Sequence, residues 1–500
     1  MNVLIQALMD PRCYPHPVGE VAVRQTPLSW VLLAGAYAYK IRKPVKLAFV
    51  DFSTLDQRRA DCFEELRLNQ RFARDLYLDV VPICGSSQAP VIGGEGTPVE
   101  YAVQMHRFAP EDELTALLEH HEVTEDQLSA FGSGLADLHE NSQGCSRSPA
   151  PAALENATRN LRELLEARSS DERVRSLMQW TATHWMRVHT STELRSARGK
   201  VRECHGDLHA GNIVRRNGEL VAFDCIEFSA ELRCIDVASD VAFLFMDLLA
   251  RQQPSLAYAF LNGWLETSGD YDAVVVLRFF CVYRALVRAK VATLGNQESV
   301  AERYISLASS LMAPSAPTLM ITCGLSGSGK TWLSQQIMTQ RGAIRIRSDV
   351  ERKRMVGLRA TQSSASLPDQ DLYSLAVNQQ VYSDLLACAR SVLQSGESII
   401  VDAAFLKRSE RLAFLELAAE LRVPFAILHC VAPRETLLTR LRERQQQGTD
   451  ASEADAAVME QQVGRWEHFA AREVPSVLEL HTHDPQSMHV ALEHSFAAPL

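Results

Sequence analysis

Residues 324 to 331 read Gly-Leu-Ser-Gly-Ser-Gly-Lys-Thr, directly after the apolar run Thr318-Leu-Met-Ile-Thr-Cys and before a stretch with helical patterning. Few local sequences restrict a fold so tightly. Closely spaced glycines let successive backbone N–H groups curl around phosphate oxygens, and this needs a strand to deliver the chain and a helix to receive it. The loop of Gly324, Leu325, Ser326, Gly327, Ser328 and Gly329 is therefore expected to cradle a nucleoside triphosphate. Lys330 would reach the outer phosphates, and Thr331 would offer its hydroxyl to Mg2+.

The pattern around the loop extends it into a domain. Strand-like runs at 318–324, 343–348, 398–402 and 424–431 alternate with helical stretches at 330–340, 371–395, 408–421 and 434–447, the signature of a parallel sheet wrapped by right-handed crossovers. The Pro/Ala/Ser stretch from Met312 to Thr318 marks a seam, dividing the chain into residues 1–312 and 318–500. Upstream of it, residues 20–108 look strand-rich, with one amphipathic helix from about Leu55 to Leu76. Residues 110–311 read as mostly helical around a polar island at 203–228, and Ser146 to Ala153 as a loop. A small mixed lobe over a larger helical lobe follows from this division.

Composition removes several classes of function. A chain of 500 residues, 46% hydrophobic and 22% charged, has apolar material for roughly two to four cores. Its formal charge of −10 argues against a protein coated in nucleic acid, because polyanion binding needs a basic face. The longest apolar runs, near Trp30 and Val241, are broken by Lys40 and by Asp240 and Asp247, short of the roughly 20 residues that span a bilayer. Eleven cysteines without a C-x-x-C pair, and no leader-like N-terminal segment, lead to the expectation of reduced thiols in a cytoplasmic protein with no membrane partner.

The polar island carries a second constellation. It reads His205-Gly-Asp-Leu-His-Ala-Gly-Asn212, then Glu219-Leu-Val-Ala-Phe, then Asp224-Cys-Ile-Glu-Phe. An Asp followed five residues later by Asn, with another Asp at the end of the next strand, is the layout of a phosphoryl-transfer loop. Asp207 would accept the proton of an acceptor hydroxyl, while Asn212 and Asp224 would supply oxygen ligands to Mg2+, a hard cation. Cys204, His205 and His209 alternate too tightly for the usual zinc spacing.

Through these motifs, roughly the first 310 residues resemble the aminoglycoside phosphotransferase and choline kinase branch of the protein-kinase-like fold. The resemblance implies an α+β two-lobed domain, a nucleotide held between lobes, and a phosphate-binding lysine upstream. In Tyr37-Ala-Tyr-Lys-Ile-Arg-Lys-Pro44, strand alternation puts Ala38 and Lys40 on one face, so Lys40 is the expected lysine and Lys43 points away. On the helix that follows, Glu65 borders the stripe Cys62, Leu66, Phe72 and Leu76 and is expected to orient Lys40, with a solvated helix charge as the alternative. No G-x-G-x-x-G lid precedes Lys40, where Leu33-Ala-Gly-Ala makes only a small-residue turn. His139, Asp236 and Asp240 are expected to serve structure.

Downstream, Arg345-Ile-Arg-Ser-Asp-Val-Glu-Arg352 places Asp349 and Arg352 one helical turn apart just past a strand end, where open α/β sheets bind ligands. Asp349 would deprotonate an acceptor hydroxyl or cap the helix, and Arg352 would steady the acceptor's anionic group. The strand Ser398-Ile-Ile-Val-Asp402 ends in an acid suited to Mg2+ or to holding the acceptor loop. Arg434, Arg440, Arg442 and Arg444 crowd one helix before the flexible-looking stretch 445–452; Arg440 and Arg444 share a side, as a phosphate-closing lid requires.

Residues 318 to about 490 are similar to the small P-loop kinases related to zeta toxins and phage polynucleotide kinase, an α/β P-loop NTPase domain with a parallel sheet. The order of the two segments is similar to that of bacterial proteins fusing the two families. The expected activity is a bifunctional ATP-dependent phosphotransferase using ATP and Mg2+, each segment acting on a small-molecule hydroxyl of the sugar, amino-sugar or nucleotide-sugar class. Two alternatives stay open: a P-loop segment serving as ATPase or switch, or as a nucleic-acid end kinase.

Overall fold

The computed structural model describes residues 2–47, 50–145, 150–363, 374–447 and 450–484. Parts of three expected segments, at 146–149, 371–373 and 448–449, lie outside the described residues, as does 485–500. The chain gathers into two compact units. One comprises Met1–Val123, Leu138–Pro149 and Leu194–Leu244; the other comprises Thr124–Asp137, Ala150–Glu193 and Phe245–Leu500. None of the described helices is long and apolar enough to cross a membrane.

In the first unit, an antiparallel sheet runs in the order Val21–Gln25, Ser29–Ala34, Tyr37–Arg42, Pro98–His106, Tyr77–Gly85, Pro90–Ile92. Alternation along the Tyr37–Arg42 strand sends Tyr39 and Ile41 into one core with Leu32, Ile83 and Ala102. Ala38 enters a second core on the opposite face with Cys62, Leu76, Tyr77 and Val103. The Leu55–Asn69 helix opens with a capping box, Gln57 N donating to Thr54 Oγ1 (3.3 Å) and Thr54 N to Gln57 Oε1 (3.0 Å). It ends seven residues before the expected Leu76, because Asn69 at its last turn diverts polar groups away from the helix: its amide donates to Glu65 O and accepts from Cys225 N.

The polar island folds as a loop followed by the hairpin Ile213–Arg216 and Glu219–Ala222. Its two-residue turn is Asn217-Gly218, with φ of 52° and 87°, the pair that a primed hairpin turn favours. Two cysteines depart from the expectation of uniformly reduced thiols: Cys145 and Cys234 are joined in a disulfide. The reason is topological, since Cys145 N donates to Val201 O while Cys234 pairs with Glu203 two residues along the same strand, so positions 89 apart in sequence become neighbours.

The second unit contains a five-stranded parallel sheet in the order Ile344–Arg347, Ile399–Asp402, Leu319–Cys323, Phe425–Val431, Val477–His481. The first four strands fall in the expected runs; the fifth was not anticipated. The central strand is buried at all five positions and apolar but for Thr322, whose hydroxyl donates to Ala403 O at 2.8 Å. The same unit includes the helices from Pro254–Ser268 to Glu298–Ser310 and the helix Ala150–Ala167, whose start replaces the end of the loop expected at Ser146–Ala153.

Candidate functional site

In the first unit, alternation places Ala38, Lys40 and Arg42 on the strand face that meets the Leu55–Asn69 helix. Lys40 Nζ donates to Glu65 Oε1 (2.8 Å) and also to Asp224 Oδ1. The other oxygen of Glu65 accepts from Arg42 NH2 at 2.6 Å. Arg42 in turn pairs with Asp61 at 2.5 Å, pairs with Glu227, and donates to Ser29 Oγ at 2.9 Å. Lys40, Glu65, Arg42 and Glu227 are all buried. Sequence reasoning selected Lys40 and Glu65 but passed over Arg42 and Glu227, although the same two-residue alternation assigns Arg42 to the face of Lys40.

The catalytic-type loop is held from behind. Asp240 accepts from His205 N (3.0 Å) and Gly206 N (2.9 Å), and His139 Nε2 lies 3.2 Å from its Oδ2. His205 Nε2 meets Phe223 O at 2.9 Å. Thus fixed, the loop presents Asp207, whose Oδ2 accepts from Asn212 Nδ2 at 3.1 Å and lies 3.5 Å from His209 Nε2. Asp224 follows the hairpin with φ of 61°, a left-handed conformation that turns its carboxylate toward Lys40, and its N–H donates to Tyr77 Oη at 3.1 Å.

Electrostatics distinguish these acids. Burial alone would raise Asp224, but the Lys40 ammonium outweighs it and holds the carboxyl below its ordinary value, leaving its half-exposed edge ionised. Burial pushes Glu227 up to about 7, against the pull of Arg42 and Lys40, and also raises Asp61 above its ordinary value. Four carboxylates, Asp61, Glu65, Asp224 and Glu227, pair with the two cations Lys40 and Arg42, and the charge of Asp207 acts on Asp224 beside them. Asp207 and Asp224 keep accessible side chains among them, an oxygen-rich set that suits a hard dication.

In the second unit, the Leu319–Cys323 strand delivers the glycine loop and the Lys330–Arg341 helix receives it. Gly327 and Gly329 take φ of 81° and 86°. A Cβ on Gly327 would stand 2.8 Å from Leu437 O, so neither the conformation nor the space admits a side chain. Lys330 Nζ arches back to the carbonyls of Gly324 (3.0 Å) and Leu325 (2.8 Å). Burial brings this ammonium below its ordinary value, partly offset by Asp402.

A cavity of about 630 Å3 opens over the loop, with Thr331, Asp349, Arg352, Asp402, Arg440 and Arg444 on its walls beside Ser326, Gly327, Gly329 and Lys330. Asp349 accepts from Arg352 NH1 at 2.8 Å, and Arg352 NH2 reaches Asn378 Oδ1 at 2.8 Å. The residue flanking the helix start is Arg347 and not Asp349, which sits within the first turn. Asp402 accepts from Ser334 Oγ at 3.1 Å and from Thr322 Oγ1 at 3.5 Å.

Not every expected residue faces the cavity. Leu325 packs into the apolar cluster of Leu437, Leu441 and Met459, and Gly324 and Ser328 lie away from the cavity wall. Of the four arginines on the Arg434–Gln447 helix, Arg440 and Arg444 line the cavity, whereas Arg434 pairs with Glu460 at the surface and Arg442 is exposed. Arg440 is tied to the loop, donating to Gly327 O (3.3 Å) and to Thr482 O (2.8 Å), and Arg444 donates to Ala454 O. Gln462, absent from the sequence reading, accepts from Ser326 N at 2.7 Å, and Arg347 was likewise passed over.

Comparison with known proteins matches two successive segments of the chain. The model of the phosphotransferase enzyme family matches residues 42–276, and that of an AAA domain matches residues 319–469. An uncharacterized protein of Mycobacterium tuberculosis is 30% identical over 476 residues, covering 92% of this chain and 94% of the relative; one of Mycobacterium bovis matches to the same extent. Among solved structures, choline kinase from Cryptosporidium parvum aligns with 62% of this chain and 94% of its own, at 10% identity and a TM-score of 0.40. A sugar kinase from Janibacter aligns with 37% and 96%, at 20% identity and a TM-score of 0.28.

Proposed function

Because the chain belongs to the family of these mycobacterial proteins, and in it a segment of the phosphotransferase enzyme family precedes one matching an AAA domain, we propose that it has two phosphoryl-transfer sites, each with its own ATP and hydroxyl acceptor. The chain is an ATP-dependent kinase. The finer reading assigns one reaction to residues 1–312 and another to 318–500, with acceptors of the sugar, amino-sugar or nucleotide-sugar class.

The observation that carries this reading is the Lys40 ammonium held by both Glu65 and Asp224 within one loop-and-hairpin of Asp207 and Asn212. Lys40 would bind the phosphates, kept in place by Glu65. Asn212 and Asp224 would hold Mg2+, which neutralises charge on the transferring group when bound. Asp207 would take the acceptor proton. In the second site Lys330 and the loop amides would bind the phosphates, Thr331 and Asp402 would hold Mg2+, and Arg440 and Arg444 would close over the group in transit. Asp349 would be the base, and Arg352, hydrogen-bonded to it, would fix its carboxylate and the acceptor's anionic group.

Local charge pairing weighs against the nucleic-acid reading of this second site. Arg345, Arg347, Arg352 and Arg354 pair with Glu266, Glu266 and Asp450, Asp349, and Glu351 respectively, which cancels the basic cluster that would attract a phosphate backbone. The two-site reading is tested by incubating wild type, Asp207→Ala and Lys330→Ala with labelled ATP and a fractionated bacterial metabolite extract. Each variant should lose a different labelled product. If Lys330→Ala only modulates the product that depends on Asp207, the P-loop site is a switch and the two-site reading fails.

A further inference from the structure

We infer that Glu266, on the Pro254–Ser268 helix inside the segment matched by the phosphotransferase model, is a positioning residue of the P-loop site: it holds the Arg347 guanidinium off Asp402 and so leaves that carboxylate to the metal. The inference rests on the reading of Asp402 as a magnesium-binding group.

The geometry begins at the sheet edge. Ile344–Arg347 is the outermost strand on its side, and an uncovered edge would leave backbone groups unpaired. The Pro254–Ser268 helix covers it with a side chain where another strand would stand: Asn262 Oδ1 accepts from Arg345 N at 2.6 Å, and its Nδ2 donates to Ala343 O at 3.0 Å. Tyr271 Oη adds a bond to Arg345 O at 3.2 Å, and Arg354 donates to Glu266 O. Glu266 lies four residues after Asn262, on the same side of the helix, and is therefore carried to the end of that strand.

There the strand register puts Arg347 directly beside Asp402. Arg347 would make a forked ion pair with this neighbour if nothing else engaged it. Instead its NH1 lies 3.2 Å from Glu266 Oε1, its NH2 is 2.9 Å from Asp450 Oδ1, and only Nε faces Asp402, at 3.8 Å. The second oxygen of Glu266 takes Arg345 NH2 at 3.0 Å, which locks the carboxylate's orientation. Burial disfavours charge on Glu266, but Arg347 and Arg345 outweigh it and keep the carboxyl below its ordinary value, so it is ionised at neutral pH. Without Glu266, the guanidinium would swing onto Asp402 and compete with Mg2+ for its oxygens.

The test uses full-length protein and equilibrium binding of a non-hydrolysable ATP analogue carrying a fluorophore, over a magnesium titration. The signal comes from energy transfer from Trp332, which is on the cavity wall next to Thr331; a Trp332→Phe control isolates the component belonging to this site. Glu266→Gln should raise the magnesium concentration for half-maximal binding about tenfold or more, in the range typical for outer-sphere groups of metal sites. Binding without magnesium should stay at the wild-type level. Adding Arg347→Gln to Glu266→Gln should restore the wild-type magnesium dependence, since the competitor is gone. A purely structural role predicts the double variant to be no better than the single one, and that result overturns the inference, as does an unchanged magnesium dependence in Glu266→Gln. Asp402→Asn serves as the reference: if it leaves magnesium dependence unaltered, the premise about Asp402 fails, and the inference with it.

Discussion

Replacing Arg42 with Met is expected to destabilise the first unit by about 3–5 kcal/mol at pH 8, the range found when one partner of a buried ion pair is removed. The size follows from what is stranded. Arg42 is buried and serves Asp61, Glu65 and Glu227 together, so its loss leaves three carboxylates that share Lys40 as the remaining cation drawn on by all of them. The penalty should shrink as pH falls. Burial already raises Glu227 to about 7 and Asp61 above its ordinary value, with Arg42 pulling both down; without Arg42 both rise further. A carboxyl whose folded-state pKa exceeds its unfolded value binds a proton on folding, so stability falls as pH rises between those two values. The variant should therefore lie closer to wild type at pH 5.5 than at pH 8. Urea titrations read by hydrogen exchange in peptides covering Tyr37–Arg42 and Leu55–Asn69 would isolate the transition of this unit. A penalty below about 1 kcal/mol, or one of equal size at both pH values, would refute the account of Arg42 as the counter-ion of a buried acidic cluster.

Glu227→Gln in the otherwise intact chain should flatten the decline in stability between about pH 4.5 and 7, measurable in the same titrations, because the group that binds the proton on folding is gone. Lys40→Met should lower transfer from the first site by about a hundredfold or more while leaving the product that depends on Lys330 intact, as product analysis with labelled ATP would report. Gly327→Ala should abolish nucleotide binding at the second site, since its φ of 81° and the 2.8 Å approach to Leu437 O leave no place for a methyl group; calorimetric titration in a Lys40→Met background, where the first site has lost its phosphate-binding ammonium, checks it. Thr482→Val removes the hydroxyl that accepts from Arg440 and donates to Ser328 O, and should weaken that binding about tenfold, read in the same titration.

What the sequence made legible was local. The glycine loop and the His205–Asn212 loop are contiguous backbone devices, so their spacing carries most of their geometry, and alternation with a helical stripe was enough to bring Lys40 and Glu65 together. Arg42 is equally accessible to the two-residue rule, since it shares the strand face of Lys40. Glu227, Gln462 and Thr482 had no comparable signal: each becomes relevant through a partner 185, 136 and 154 residues away respectively, and those separations are closed by packing. The early end of the Leu55–Asn69 helix and the Cys145–Cys234 bond have the same origin, in contacts with Cys225 and Val201 that no local window contains. The seam at Met312–Thr318 shows the limit most clearly. Proline and small residues there mark a flexible connection, but composition is blind to the Asn262 amide that completes the edge of the parallel sheet from the other side of that seam. A P-loop segment cut at residue 318 would expose that edge and lose Glu266 in one step, so the boundary visible in the sequence and the boundary of the working site are set by different forces: chain entropy for the first, hydrogen-bond and charge satisfaction for the second.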